Sequence, residues 1–208
     1  MPGLLMLKIN SIFQSLQGEG LASGTPAIFV RLSGCALQCP YCDSREAWST
    51  GRQMTVAEIE AAVAELKNSA PQSRLVITGG EPLEQDLGEM AGSFRENKYF
   101  VAVETNGLQF QDLPFDWWTV SPKDVAAYRV HPRLWPRIAE IKLLVTAALN
   151  LDVVTAIRKN TKAPIILQPE HARPGKYRHA FAFFQACQRQ GIADVRLGVQ
   201  LHKIYRVS

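Results

Sequence analysis

Residues 34–48 read GCALQCPYCDSREAW. Three of the chain's four cysteines, Cys35, Cys39 and Cys42, fall in this one stretch, and the fourth, Cys187, lies far downstream. Just before it, residues 27–32 read AIFVRL, a β-branched and aromatic run that delivers the cysteines from the end of a strand. Similar short runs follow: RLVIT (74–78), YFVAVE (99–104), WWTVS (117–121), EIKLLV (140–145), PIILQ (164–168) and VRLGV (195–199). Amphipathic stretches alternate with them, and that alternation predicts βα units around a mostly parallel sheet. Six to seven strands with few helices fall short of a closed eight-stranded barrel, so the expected fold is α/β, an open partial (β/α) barrel.

The clearest helix is TVAEIEAAVAELKNS (55–69), where Thr55 and Glu58 form a capping box and Val56, Ile59, Val63 and Leu66 share a face. Further helices are expected over 84–97, 150–160 and 176–190, the last stopped by Gly191. With 208 residues, 47% hydrophobic and 20% charged, the chain fits one domain, 1–208, with the cysteine loop at 35–42. Its start holds an apolar patch too short for a signal peptide, and no run approaches the roughly 18 apolar residues of a membrane span. A cytoplasmic protein is therefore expected, in a compartment where clustered thiols are ligands or catalysts rather than cross-links. The net charge of +4 suits an anionic partner, but the basic residues are spread out. The densest groups, 131–137 and 158–162, read as loop and helix-end charges, so no direct nucleic-acid binding is expected.

Spacings of three and then two residues put all three thiols of the loop within reach of one metal centre. A structural zinc site needs four ligands. Here the closest histidine is His131, and Cys187 falls mid-helix, where a buried inert thiol is the plain reading. Ferredoxin-type clusters also use four thiolates. Three thiolates on a four-iron cluster leave one iron open to hold a second molecule, as catalytic metals keep a position for substrate. Recruitment of a distant fourth ligand, and with it a zinc-binding non-enzymatic module, stays open as an alternative. Nearly every strand also ends in a polar or glycine-rich group: Thr78 to Glu81, Glu104 to Gly107, Ser121 to Lys123 and Gln168 to Glu170. Ligands bind at the carboxyl ends of strands in parallel α/β sheets, so these ends predict the rim of an active site.

The pattern Cys35-x-x-x-Cys39-x-x-Cys42, with Tyr41 before the last cysteine, resembles the cluster motif of the radical S-adenosylmethionine (SAM) superfamily. SLQGEG (15–20), FVRLSGC (29–35), CDSREAW (42–48), VITGGEP (76–82), VETNG (103–107), VSPK (120–123), LQPE (167–170) and QLHK (200–203) follow in order. Together they resemble the 7-carboxy-7-deazaguanine synthase family. A radical SAM activase of a glycyl-radical enzyme shares the cluster motif but has no use for Gln17, Glu19 and Arg31.

The resemblance implies a [4Fe-4S] cluster on Cys35, Cys39 and Cys42, SAM on its open iron, and Mg2+. It implies cleavage to a 5′-deoxyadenosyl radical that removes hydrogen from C6 of 6-carboxy-5,6,7,8-tetrahydropterin. Ring contraction with loss of ammonia would then give 7-carboxy-7-deazaguanine, the precursor of queuosine and other 7-deazapurines. The implied cofactor contacts are Tyr41, Asp43, Gly79, Gly80, Ser121, Pro122, Lys123, Gln168, Pro169, Glu170 and His171. The implied substrate contacts are Leu16, Gln17, Gly18, Glu19, Arg31, Thr78, Glu104 and His202. Guanidinium binds carboxylate in a planar two-point fork, which suits Arg31 to the substrate carboxylate. The terminal carboxylate of Ser208, six residues past His202, is a further candidate. Ser44 stands where the family usually has threonine as the magnesium ligand. The resemblance also implies an electron donor such as flavodoxin, and a homodimer.

Overall fold

The computed structural model describes residues 5–170 and 174–207. They fall into two compact units, one made by the residues up to Leu16, Thr25–Thr105 and Gln109–Trp118, the other by Gln17–Gly24, Asn106–Leu108 and the residues from Thr119 onward.

The first unit contains β1 (Met6–Leu16), β2 (Pro26–Leu32), β3 (Arg52–Thr55), β4 (Arg74–Gly79) and β5 (Val101–Thr105), in sheet order β3-β1-β2-β4-β5. The β2, β4 and β5 strands run parallel, whereas β1 pairs antiparallel with both β2 and β3. Alternation sorts their residues between two faces. Ile28, Val30, Leu32, Leu75, Ile77 and Val103 form one apolar layer, and Ile59 and Val63 of α1 (Val56–Ser69) with Met90 and Phe94 of α2 (Gly88–Glu96) are buried with it. On the other face Ala27, Phe29, Val76 and Ala102 form a second cluster, with Phe13 and Trp117 against it. The capping box of α1 is formed: Thr55 Oγ1 accepts from the Glu58 N–H at 3.2 Å, and the Thr55 N–H donates to Glu58 Oε2 at 2.8 Å. The helix expected over 84–97 is shorter, because a 3-10 turn at Pro82–Glu84 precedes it.

In the second unit β6 (Trp117–Val120, shared with the first), β7 (Glu140–Val145), β8 (Ile165–Pro169) and β9 (Val195–Leu197) run parallel in that order. Ile141, Leu143, Val145, Ile165 and Leu167 make the apolar layer, buried with Val154 and Ile157 of α3 (Leu151–Asn160) and Ala180 and Cys187 of α4 (Pro174–Arg189). A short helix, α5 (Leu201–Tyr205), follows β9. Arg158 donates to the carbonyls of Thr161 and Ala163, so this basic group does close a helix end.

The sheet is open, with β3 and β9 as its edge strands. The described residues hold nine strands rather than six or seven; the two unanticipated ones, β1 and β3, are the antiparallel pair. The β1 pattern is hidden by a register shift between Ile9 and Ser11, which spaces the next apolar residue at Ile12 and breaks the alternation. Polar Arg52-Gln53-Met54-Thr55 carries no strand signature and pairs only because β1 offers it an edge.

Candidate functional site

In the first unit, the cysteine loop leaves the carboxyl end of β2. Its entry is fixed by three backbone hydrogen bonds: Gly34 N–H to Ala47 O (2.8 Å), Glu81 N–H to Gly34 O (2.7 Å) and Gly80 N–H to Leu32 O (3.0 Å). The Gly79-Gly80 pair is thus laid directly along the strand that delivers Cys35. A Cβ on Gly80 would sit 1.9 Å from Gly34 O, and one on Gly79 would sit 2.1 Å from Leu32 O. The family resemblance implies cofactor contacts at these glycines; the structure gives them a second cause, close approach of the chain to itself. Glu81 is buried and caps its own turn, accepting from Leu83 N–H at 3.1 Å and from Thr105 Oγ1 at 2.6 Å.

Cys39 is buried, while Cys35 and Cys42 are half-buried and free of disulfides. Burial pushes the Cys35 thiol up; the N–H groups of Gln38 and Leu37 aimed at its sulfur pull the other way, and the carboxylates of Glu84 and Glu81 add to the rise. Gln38, at φ 42°, takes the left-handed turn of this tight loop. Partly accessible sulfurs with backbone donors at Cys35 form a donor set suited to an iron-sulfur cluster, whose thiolates are tuned by such bonds. Tyr41 is half-buried and Asp43 exposed in the same loop.

The substrate residues suggested for this unit stand in a row. Arg31 is in register with Thr78, and Glu104 is the residue after the Ile77–Val103 pair. All three follow the Phe29, Val76 and Ala102 face by one alternation, so they project from the same side of the sheet at its carboxyl end. Leu16 ends β1 opposite Pro26. The Arg31 guanidinium lies 5.4 Å from the Phe13 ring centroid and donates to Ser44 Oγ at 2.7 Å and Glu46 Oε1 at 3.2 Å. Ser44 Oγ thus faces the Arg31 guanidinium in this structure. Its hydroxyl oxygen is a hard ligand of the kind magnesium takes and keeps a second lone pair beyond that bond.

In the second unit, Gln17, Gly18 and Glu19 form a loop braced from two elements. Glu19 Oε2 is 2.7 Å from Lys142 Nζ on β7, and its Oε1 accepts from Gln200 Nε2 at 2.6 Å, just before α5. His202 Nδ1 occupies the place of a Gly18 Cβ, at 2.0 Å, and Leu201 N–H donates to Gly18 O at 2.9 Å. Glu140, buried at 3% exposure, accepts from Thr119 Oγ1 at 2.8 Å and from Leu21 N–H at 2.7 Å. Neither Glu140, Lys142 nor Gln200 was among the expected site residues; the sequence signals are a pair of charges on an otherwise apolar strand, EIKLLV, and the place of Gln200 in QLHK.

Of the other expected residues, Ser121 Oγ accepts from Lys123 Nζ at 2.7 Å, and Pro122 between them is buried. Gln168 on β8 is 3% exposed, yet neither atom of its amide has a partner among the described residues, while Pro169 beside it is also buried. An orphaned buried amide is expensive unless a partner completes it. Glu170 pairs with Lys176. His171 and Ser208 lie outside the described residues.

A model of the radical SAM superfamily matches residues 29–197. The 7-carboxy-7-deazaguanine synthase of Aquifex aeolicus is 32% identical over 210 residues, covering 96% of this chain and 94% of its own. That of Synechocystis is 32% identical over 201 residues, covering 94% and 90%. The crystal structure of QueE from Escherichia coli superposes with a TM-score of 0.74 at 27% identity, over 94% of both chains. That of Streptococcus suis SuiB bound to SAM shares the fold, with a TM-score of 0.56 at 14% identity over 78% of this chain and 44% of SuiB.

Proposed function

The chain belongs to the radical SAM superfamily and, within it, to the 7-carboxy-7-deazaguanine synthase family, and on that footing we propose that it makes 7-carboxy-7-deazaguanine from 6-carboxy-5,6,7,8-tetrahydropterin with loss of ammonia. The observation that carries the reading is the row of Arg31, Thr78 and Glu104 on one sheet face, at the carboxyl ends of β2, β4 and β5, the first of which runs into the cysteine loop. An activase or a zinc module has no use for such a row.

A cluster on Cys35, Cys39 and Cys42 with bound SAM supplies one-electron chemistry that starts hydrogen removal from the substrate. The protein's own groups bind and orient. In the first unit, Arg31 gives the substrate carboxylate a planar fork, exchanging Glu46 for it, while Leu16, Thr78 and Glu104 shape the ring's surroundings. Gly79 and Gly80 present backbone to the cofactor, with Tyr41 and Asp43 in the loop beside them. In the second unit, Gln17, Gly18, Glu19 and His202 face the substrate's donor and acceptor edge. Ser121, Pro122, Lys123, Gln168, Pro169 and Glu170 serve the cofactor, and the orphaned amide of Gln168 supports that part.

Magnesium is an expectation from the family, with Ser44 as its proposed side-chain ligand, and no step is assigned to it. A one-electron donor such as flavodoxin is required by the chemistry, and the +4 charge suits an acidic one. A homodimer and a cytoplasmic setting complete the proposal; no helix of the described residues is long and apolar enough to cross a membrane.

The test is anaerobic reconstitution with iron and sulfide, then incubation with SAM, a reductant and the pterin, with products read by mass spectrometry. Formation of 7-carboxy-7-deazaguanine and ammonia supports the reading. Cleavage of SAM without that product removes the pterin from it.

A further inference from the structure

Glu140 and Lys142 alternate on β7, so both side chains leave the same face of the strand. Both are nearly buried, at 3% and 9% exposure, and both reach the loop that carries Gln17 to Leu21. Glu140 holds that loop by its backbone, through the Leu21 N–H, and leaves no room for a Cβ on Gly20, which would sit 2.3 Å from Glu140 Oε1. Lys142 holds it by a side chain, the carboxylate of Glu19. The two side chains of that ion pair are only 11% and 14% exposed. A buried ion pair gains little over an apolar pair of the same volume, because desolvation offsets the attraction. Leaving Glu19 alone in such a place would favour its neutral form. The ammonium of Lys142 balances the carboxylate on one oxygen, and the amide of Gln200 on the other sets its plane.

Resting on the function proposed above, we propose that Lys142 is a positioning residue for substrate recognition. Through Glu19 it presents an ionised, oriented pair of acceptor oxygens, and that pair selects a 2-amino-4-oxopyrimidine edge by its adjacent N–H donors. Each carboxylate oxygen accepts more than one hydrogen bond, so holding by Lys142 and Gln200 is compatible with reading a donor edge.

The experiment uses the reconstituted holoenzyme and its Lys142→Met, Lys142→Arg, Glu19→Gln and Glu19→Gln/Lys142→Met variants. Each is assayed on 6-carboxytetrahydropterin and on an analogue lacking the exocyclic amino group. Lys142→Met is expected to raise KM about ten-fold or more with kcat within about three-fold of wild type, a loss of binding rather than of chemistry. Its preference for the aminated substrate over the analogue should shrink by about the same factor, a change that general loosening would not produce. Lys142→Arg should recover most of the loss. The double variant should be no worse than Glu19→Gln alone, since Lys142 acts through Glu19. This comparison also carries the test if Lys142→Met alone fails to fold, because the double variant leaves no unpaired buried charge. An unchanged KM and preference in Lys142→Met, or a further loss on adding it to Glu19→Gln, overturns the inference while leaving the proposed function standing. Wild-type enzyme that forms no product removes both.

Discussion

Replacing Gly80 by alanine puts the account of the cysteine loop under direct load. The new Cβ would lie 1.9 Å from Gly34 O, so that carbonyl must retreat by at least about 1.1 Å to reach even the tightest contact of 3.0 Å. Gly80 has no positive φ, so the cost is one of contact and not of backbone strain. Gly34 is tied by two backbone bonds, from Glu81 N–H at 2.7 Å and to Ala47 O at 2.8 Å, and a shift of this size breaks both. Each is worth about 1 kcal/mol net. Adding about 1–3 kcal/mol for overpacking gives a loss of about 3–5 kcal/mol. For a chain of this length that corresponds to a fall in Tm of roughly 6–20 °C. Because Gly34 precedes Cys35, iron uptake on anaerobic reconstitution should fall with it. Thermal melts by circular dichroism and iron analysis read the two effects. Gly92→Ala is the control: nothing lies within 4 Å of its Cβ in α2, so this variant should gain about 0.5–1 kcal/mol and load iron normally. A Gly80→Ala protein that melts within about 2 °C of wild type and binds full iron refutes the reasoning.

Cys39→Ala should lose the brown colour and broad visible absorbance of a reconstituted four-iron cluster, and a variant that keeps its iron contradicts the assignment of the loop. Thr55→Ala removes the cap of α1 and should cost about 1 kcal/mol at neutral pH, measured as a denaturation midpoint. That penalty depends on pH: the Glu58 carboxyl is held below its ordinary value first by the Thr55 backbone N–H, which alanine keeps, and then by the Thr55 hydroxyl, which alanine removes. A depressed pKa contributes stability above the ordinary carboxylate range and loses it as pH falls through the depressed value. The gap between wild type and Thr55→Ala should therefore narrow in acid; a gap that widens contradicts the capping box.

Some of this protein is written plainly along the chain. The α1 helix and its cap were legible because a capping box is a local pattern, four residues long, and needs nothing from the rest of the fold. The strands β2, β4 and β8 were legible because buried parallel strands read as near-continuous apolar runs. The cysteine loop, Arg31, Thr78 and Glu104 stood out as chemistry at strand ends, and register supplies what spacing could not, their place in one row. Long-range polar pairing is where the sequence falls silent. The Gln200–Glu19 contact joins residues 181 apart, and nothing near either residue announces the other. Lys142 likewise reads as one polar residue in a strand until β7 is set beside the loop it holds. Gly79 and Gly80 were recognised as special, but the backbone of Leu32 and Gly34 against them appears only once β2 and β4 are paired.

The central claim is a radical reaction on the pterin, and the most direct measurement is isotope transfer. Reconstituted enzyme is incubated with SAM, a reductant and 6-carboxytetrahydropterin carrying deuterium at C6, and the 5′-deoxyadenosine formed is analysed by mass spectrometry beside the deazapurine product. The account predicts 5′-deoxyadenosine that carries the deuterium, formed together with 7-carboxy-7-deazaguanine. Unlabelled 5′-deoxyadenosine, with the pterin recovered intact, would contradict it.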